Sequence, residues 1–200
     1  MANLSLTDFV DVASRVGSSK TVKLSQIKNR PPYHPAFDYY KALREHLIFI
    51  HQSGRDRNDI YIPEKITDDS KKWMNYSLII EGYKLFLGRK VIKWFEPPHS
   101  EWTFNDVTVT LNPELGLLIN GKPFVIKLYM KADKLSKSKV DISLFLMHQF
   151  LPQKYEEQAI TYSILDVREH HLYTPTAFPS NILYTLIAET AFINSIWPNL

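Results

Sequence analysis

Four residues around the Asn120-Gly121 pair have the types and spacing to do chemistry: Glu114, Lys127, Tyr129 and Lys131. If the chain reverses at Asn120-Gly121, alternation along the two flanking strands brings a carboxylate, two ammonium groups and a phenol to one surface. Such a set suits work on a phosphate backbone. The acid can hold a divalent cation, and a lysine can orient water or neutralise charge on the phosphate. The plainer reading is a cross-strand ion pair worth a fraction of a kcal/mol.

The hairpin is specified from both sides. Asn and Gly tolerate the positive φ of a two-residue turn. With Ile119 opposite Lys122, Leu117 meets Phe124, Leu115 meets Ile126 and Leu111 meets Met130, all on one apolar face. A slip of one residue would scatter these pairs, so the register is well determined. The other face then pairs Glu114 with Lys127, Asn112 with Tyr129, and Thr110 with Lys131. Pro113 falls inside the first strand. It lacks an N–H, so it requires an edge, a bulge or a strand that has left one neighbour.

Other elements must position this hairpin. "LTDFVDVASRV" spaces Phe9, Val10, Val12, Ala13 and Val16 as a helix, with Thr7 as its cap. "GSSKTVKLSQIKNRPPYHP" reads as an irregular, basic, extended crossing. Phe37, Tyr40, Leu43, Leu47 and Ile50 form one helical stripe that Gly54 stops. A short strand is expected at Ile60 to Ile62. "KKWMNYSLIIEGYKLFLG" predicts a long helix, apolar around most of its circumference and so well buried, capped by Asp68, Asp69 or Ser70. From residue 91 the period shifts towards two, predicting strands in "VIKWFEPPHSEWTF", "DVTVTLNPELGLLI" and "KPFVIKLYMK". A lysine-rich loop follows, with Ser136 or Ser138 capping a helix over "KVDISLFLMHQFL". Strand character returns in "AITYSILDVREHHLYTP", and a last helix starts at Ser180 or Asn181. The order is mixed α/β, a helical N-terminal part over 1–70 packed on a core over 71–200 as one compact unit.

The 200 residues are 44% hydrophobic with a net charge of +3, enough for a real core and mildly favourable to an acidic partner. The sequence has no cysteine, which excludes disulfides, thiolate metal sites and cysteine nucleophiles and fits a cytoplasmic protein. No apolar run approaches a membrane span, and no secretion signal is expected. The histidines lack HxH or HExxH spacing, and adjacent His170 and His171 would point to opposite faces of a strand. Phosphate-loop, dinucleotide and nucleophile-elbow signatures are absent. The four tryptophans read as core or half-buried packing; Trp94 and Trp102 could instead stack on unpaired bases.

The one-face set and the element order resemble the PD-(D/E)xK nuclease superfamily, with its restriction-endonuclease-like fold. Residues 72 to 199 can be laid on that family's helix, three-strand meander, helix, strand and helix. "NPE" at 112–114 looks like the family's first acidic element, and "YMK" at 129–131 like its acid-x-Lys, with Tyr129 where the acid belongs. The resemblance implies a mixed central sheet flanked by helices and a site of Glu114, Lys127, Tyr129 and Lys131. The tyrosine implies a degraded metal site. The expectation is therefore binding of nucleic acid or a protein partner without cleavage and without a resident cofactor. Lys134, Lys137, Lys139, Lys28 and Arg30 would meet phosphates. The alternatives are a Mg²⁺-dependent nuclease, whose metal Glu114 would hold with Glu81 or Asp106, and a structural or interaction protein, with a homodimer as one form of it.

Overall fold

The computed structural model describes residues 1–31, 38–62, 70–175 and 177–200. Within these lie six α-helices and ten strands, so the protein is mixed α/β. Strand β1 (Ala2–Ser5) leads into α1 (Leu6–Ala13), α2 (Ser18–Lys28), α3 (Lys41–Gln52) and α4 (Ser70–Leu87). Four strands and a long fifth follow: β2 (Ile92–Phe95), β3 (Ser100–Phe104), β4 (Val107–Leu111), β5 (Leu115–Ile119) and β6 (Lys122–Tyr129). The chain continues through α5 (Lys137–Phe150), β7 (Lys154–Tyr155), β8 (Gln158–Ala159), β9 (Thr161–Asp166), β10 (His171–Tyr173) and α6 (Ile182–Ile196). No helix among the described residues is long and apolar enough to cross a membrane.

The central sheet has the order β10-β9-β6-β5-β2. All neighbours run antiparallel except β6 and β9, which are parallel and joined through α5, as a crossover connection requires. The β5–β6 hairpin has the expected register, with Leu115 opposite Ile126, Leu117 opposite Phe124 and Ile119 opposite Lys122. Leu115, Leu117 and Ile126 are wholly buried, each contributing about 1.5–3 kcal/mol by leaving water. They face α3 and α4, while Val125, Tyr162 and Ile164 face a second cluster built with α1, α5, α6 and a small sheet of β1, β4 and β3.

Several expectations are corrected. "DVTVTLNPELGLLI" is not one strand but two, in different sheets, because Pro113 cannot continue a ladder. β4 pairs with β1 and β3, so Thr110 lies opposite Ser5 and Glu101 rather than Lys131, and Leu111 opposite Ser100 rather than Met130. "VIKWFEPPHSEWTF" likewise splits at Glu96-Pro97-Pro98-His99 into β2 and β3. Residues 18 to 28, expected to be extended, are helical; their charge pattern has no apolar stripe, and only Leu24 is buried. Tertiary contacts hold the helix instead, among them Lys20 to Glu189 at 2.6 Å.

Residues 2 to 5 form a strand the sequence did not announce, and the cap of α1 is Ser5 rather than Thr7, its Oγ accepting from the Asp8 amide at 3.1 Å. Ile60 is buried, but residues 60 to 62, expected as a short strand, belong to none and follow a 3₁₀ turn at Arg57–Asp59. α4 is less enclosed than its composition suggests: Trp73, Met74, Leu78 and Leu85 are exposed. His170 lies in a turn with φ 44°. Phe37, Asp68 and Asp69 lie outside the described residues. Ser136 caps α5, as one of two expected positions.

Candidate functional site

A cleft of about 800 Å³ opens where β2 and β6 end and β5 starts, walled by α1, α3 and α5. Pro113 matters here. By ending β4 it releases Asn112-Pro113-Glu114 to turn into β5, which aims the Glu114 side chain at the end of β6. Glu114 Oε1 lies 2.6 Å from Lys127 Nζ, and its Oε2 accepts the Leu128 amide at 2.8 Å. Lys127 also donates to the Asn112 carbonyl at 3.1 Å. Both side chains are largely shielded, so the pair is firmer than a surface ion pair. Both carboxylate oxygens are in use.

A second cluster centres on Asp11 of α1. Its carboxylate receives Lys139 of α5 at 2.7 Å and Lys131 at 2.9 Å, with Lys23 of α2 at 3.9 Å. Burial would raise the Asp11 pKa, but the hydrogen bonds from Lys139 and Lys131, with their charges, hold it below the ordinary carboxylate value. Three ammonium groups on one acid leave an excess of positive charge. Arg30 forks onto Asp8 at 2.9 and 3.3 Å, and Arg44 reaches Asp38 at 2.7 Å. Tyr129 donates to the Asp133 carbonyl at 2.7 Å. Burial first, then nearby Asp133 and Asp11, push its pKa up to about 12, so the phenol stays neutral.

The cleft thus gathers Glu114, Lys127, Tyr129, Lys131, Lys139 and Arg30 from the expected set. Others lie elsewhere. Lys28 donates to the Trp197 carbonyl at 2.6 Å, and Lys137 pairs with Asp141 on the exposed surface of α5. Lys134 is exposed and does not line the cleft. Neither Glu81, exposed on α4, nor Asp106, exposed in the β3–β4 turn, lines it either, so neither stands beside Glu114 as a second metal ligand. Among the described residues no three His, Asp or Glu side chains are grouped as a metal's ligands would be.

Two acids were missed from sequence. Asp11 sits between buried Val10 and Val12, and an acid inside an apolar helical run was the available signal. Asp166, buried at the end of β9 and opposite Tyr129 in the parallel register, has its pKa raised, chiefly by burial. Its signal was an acid placed directly after the apolar Ile164-Leu165 of a predicted strand. No protein-family model and no curated protein matches this sequence.

Proposed function

We propose that this chain is a restriction-endonuclease-like domain that binds nucleic acid through its phosphates and does not cut it. The observation that carries the reading is how Glu114 is used. It is the acid that the resemblance assigns to Mg²⁺, and its oxygens are taken by the Lys127 ammonium and the Leu128 amide. A hard cation needs several oxygen ligands, and a neutral Tyr129 hydroxyl committed to Asp133 is a poor one.

Binding is supported by the other half of the cleft. Lys131, Lys139 and Lys23 surround one carboxylate, and Lys131 is 38% exposed with donors to spare. A phosphate arriving there meets fixed ammonium groups and releases its own counterions. The order α4, β2, β5, β6, α5, β9, α6 is compatible with the family's core, with β3 and β4 as an inserted hairpin.

Filter binding with DNA and RNA strands at about 50 and about 200 mM salt tests the binding, since phosphate contacts make affinity fall steeply over that range. Affinity unchanged by salt ends the electrostatic part and leaves a protein partner as the better reading. Incubating the same strands with Mg²⁺ or Mn²⁺ is expected to leave them intact. Cleavage that Glu114→Ala abolishes overturns the non-cutting reading.

A further inference from the structure

A second cleft, of about 810 Å³, lies on the other side of Trp94. The C-terminal ends of α3 and α4, the Arg57–Asp59 turn and β2 build it. Five cationic side chains line it, Arg55, Arg57, Arg89, Lys90 and Lys93, against one carboxylate, Asp56, among its described lining residues. Asp56 is already engaged, since its Oδ1 accepts the Asn58 amide at 2.8 Å to cap the turn.

Helix C-termini attract cations for structural reasons, and that explains part of the set. Arg57 donates to the Gly88 carbonyl, and Lys90 to the Phe86 carbonyl, at the end of α4. Arg55 lies over the Phe49 ring at 5.0 Å. No such bond engages Arg89 or Lys93 among the described residues, and both are exposed. With the α4 carbonyls already matched by Arg57 and Lys90, these two charges are surplus to the fold. Surplus cations in a concave wall suit a polyanion.

Trp94 joins the two clefts: its half-buried ring lines both. It stands on β2, the edge strand of the central sheet, with part of its ring packed against the apolar cluster of α3 and α4 and the rest left open to the clefts. An indole between two cationic recesses can stack on one unpaired base while the flanking phosphates enter the recesses. A duplex offers no unstacked base.

We infer that the second cleft takes the phosphates of a single-stranded nucleic acid that crosses the sheet edge over Trp94 from the cleft at Asp11 and Glu114. This extends the function proposed above and rests on it.

The test uses the full chain and oligothymidylates of about 16 nucleotides, near the upper end of site sizes for grooves of this kind. Arg89→Glu/Lys93→Glu is expected to weaken binding roughly tenfold and to lower the slope of log affinity against log salt by about 1.4, at about 0.7 per phosphate contact. Trp94→Leu is expected to weaken it about fivefold or more with the slope unchanged, and Trp94→Phe to restore most of the loss. On an abasic strand of equal length the Trp94 effect vanishes and the charge effect stays. Thermal melts confirm that each variant folds. Wild-type binding that none of these substitutions alters overturns the second cleft and leaves the function proposed for the first. A wild type that binds no strand overturns both.

Discussion

The two clefts have similar volumes and similar numbers of cations, yet their charges are used differently. In the cleft at Asp11 and Glu114 six lysines and arginines face five carboxylates, and each of the six is within ion-pair distance of an acid. In the cleft beside α3 and α4 five cations face one acid that is occupied with a turn. A count of basic residues along the sequence would rank the two alike. What separates them is where the acids went: α1 and the Pro113 turn deliver three to the first cleft, and the second receives only Asp56 among its described lining residues. Local net charge, rather than number of lysines, sets how much binding capacity each surface keeps: a small surplus at the first cleft and a large one at the second.

The largest effect expected is loss of the shared wall. A Cβ at Gly116 would drive into the Phe95 carbonyl oxygen, a backbone atom that cannot swing aside. Gly116→Val should therefore detach β2 and cost more than about 4 kcal/mol, the range of the most damaging substitutions. A denaturant melt reads this, and binding at both clefts should fall with it. A variant that melts within about 1 kcal/mol of wild type would show that β2 accommodates the added side chain without leaving β5.

Next comes the acid that balances the first cleft. Asp11→Asn keeps the shape and strips the charge, leaving Lys131 and Lys139 without their counter-ion; a loss of about 2–3 kcal/mol is expected, below that of a fully buried pair because Lys131 can turn to water. Because the folded pKa of Asp11 lies below its ordinary value, its contribution is complete above that value and is lost as pH falls through the folded one. The variant should therefore lack part of the wild type's acid limb. It should also make the first cleft resemble the second, raising the salt slope of nucleic-acid binding by about 0.7 for each lysine released. An unchanged slope would mean that charge balance does not distinguish the clefts.

A third substitution sharpens the second cleft from beneath. Burial lowers the His51 pKa to about 4, and its Nε2 lies 2.6 Å from the Tyr83 hydroxyl. The unfolded chain takes up this proton near pH 6.5 and the folded one only near pH 4, so stability is complete above the first value and declines by about 2–3 kcal/mol towards the second. His51→Phe should flatten the stability profile between them, measured by urea midpoints. A profile that stays as steep would assign the slope to other groups.

Last is a surface lysine. Lys137, 82% exposed and paired with Asp141 one turn along, should cost about 0.5 kcal/mol or less when changed to Ala. It should leave the salt slope unchanged, and a drop near 0.7, the value of about one phosphate contact, already counts against this. Such a drop would bring the loop before α5 into the binding surface as a third region.

The sequence exposed those parts of this molecule that depend on neighbours in the chain. Asn120-Gly121 and the apolar alternation set the β5–β6 register, the Leu43, Leu47 and Ile50 stripe set α3, and Ser136 set the start of α5. The Glu114–Lys127 pair followed from that register alone. What was hidden depends on partners far away. Strand β1 is four residues long and gains its identity only by lying parallel to β4. α2 has no amphipathic stripe to announce it. Pro113 was rightly suspected, but whether it bulges a strand or sends the chain into another sheet is a tertiary choice. Asp11 belonged to the site because of Lys131 and Lys139, which no spacing rule links to residue 11.

The lysines that clasp Asp11 are 120 and 128 positions away from it. Contacts of such separation carry a large loop-closure cost, which nearer pairings reduce by shortening the loop between them. Until α1 docks, Lys131 and Lys139 stand with no counter-charge from the N-terminal segment. Any state in which α1 is undocked would therefore carry more uncompensated positive charge at this end of the sheet than the folded protein does.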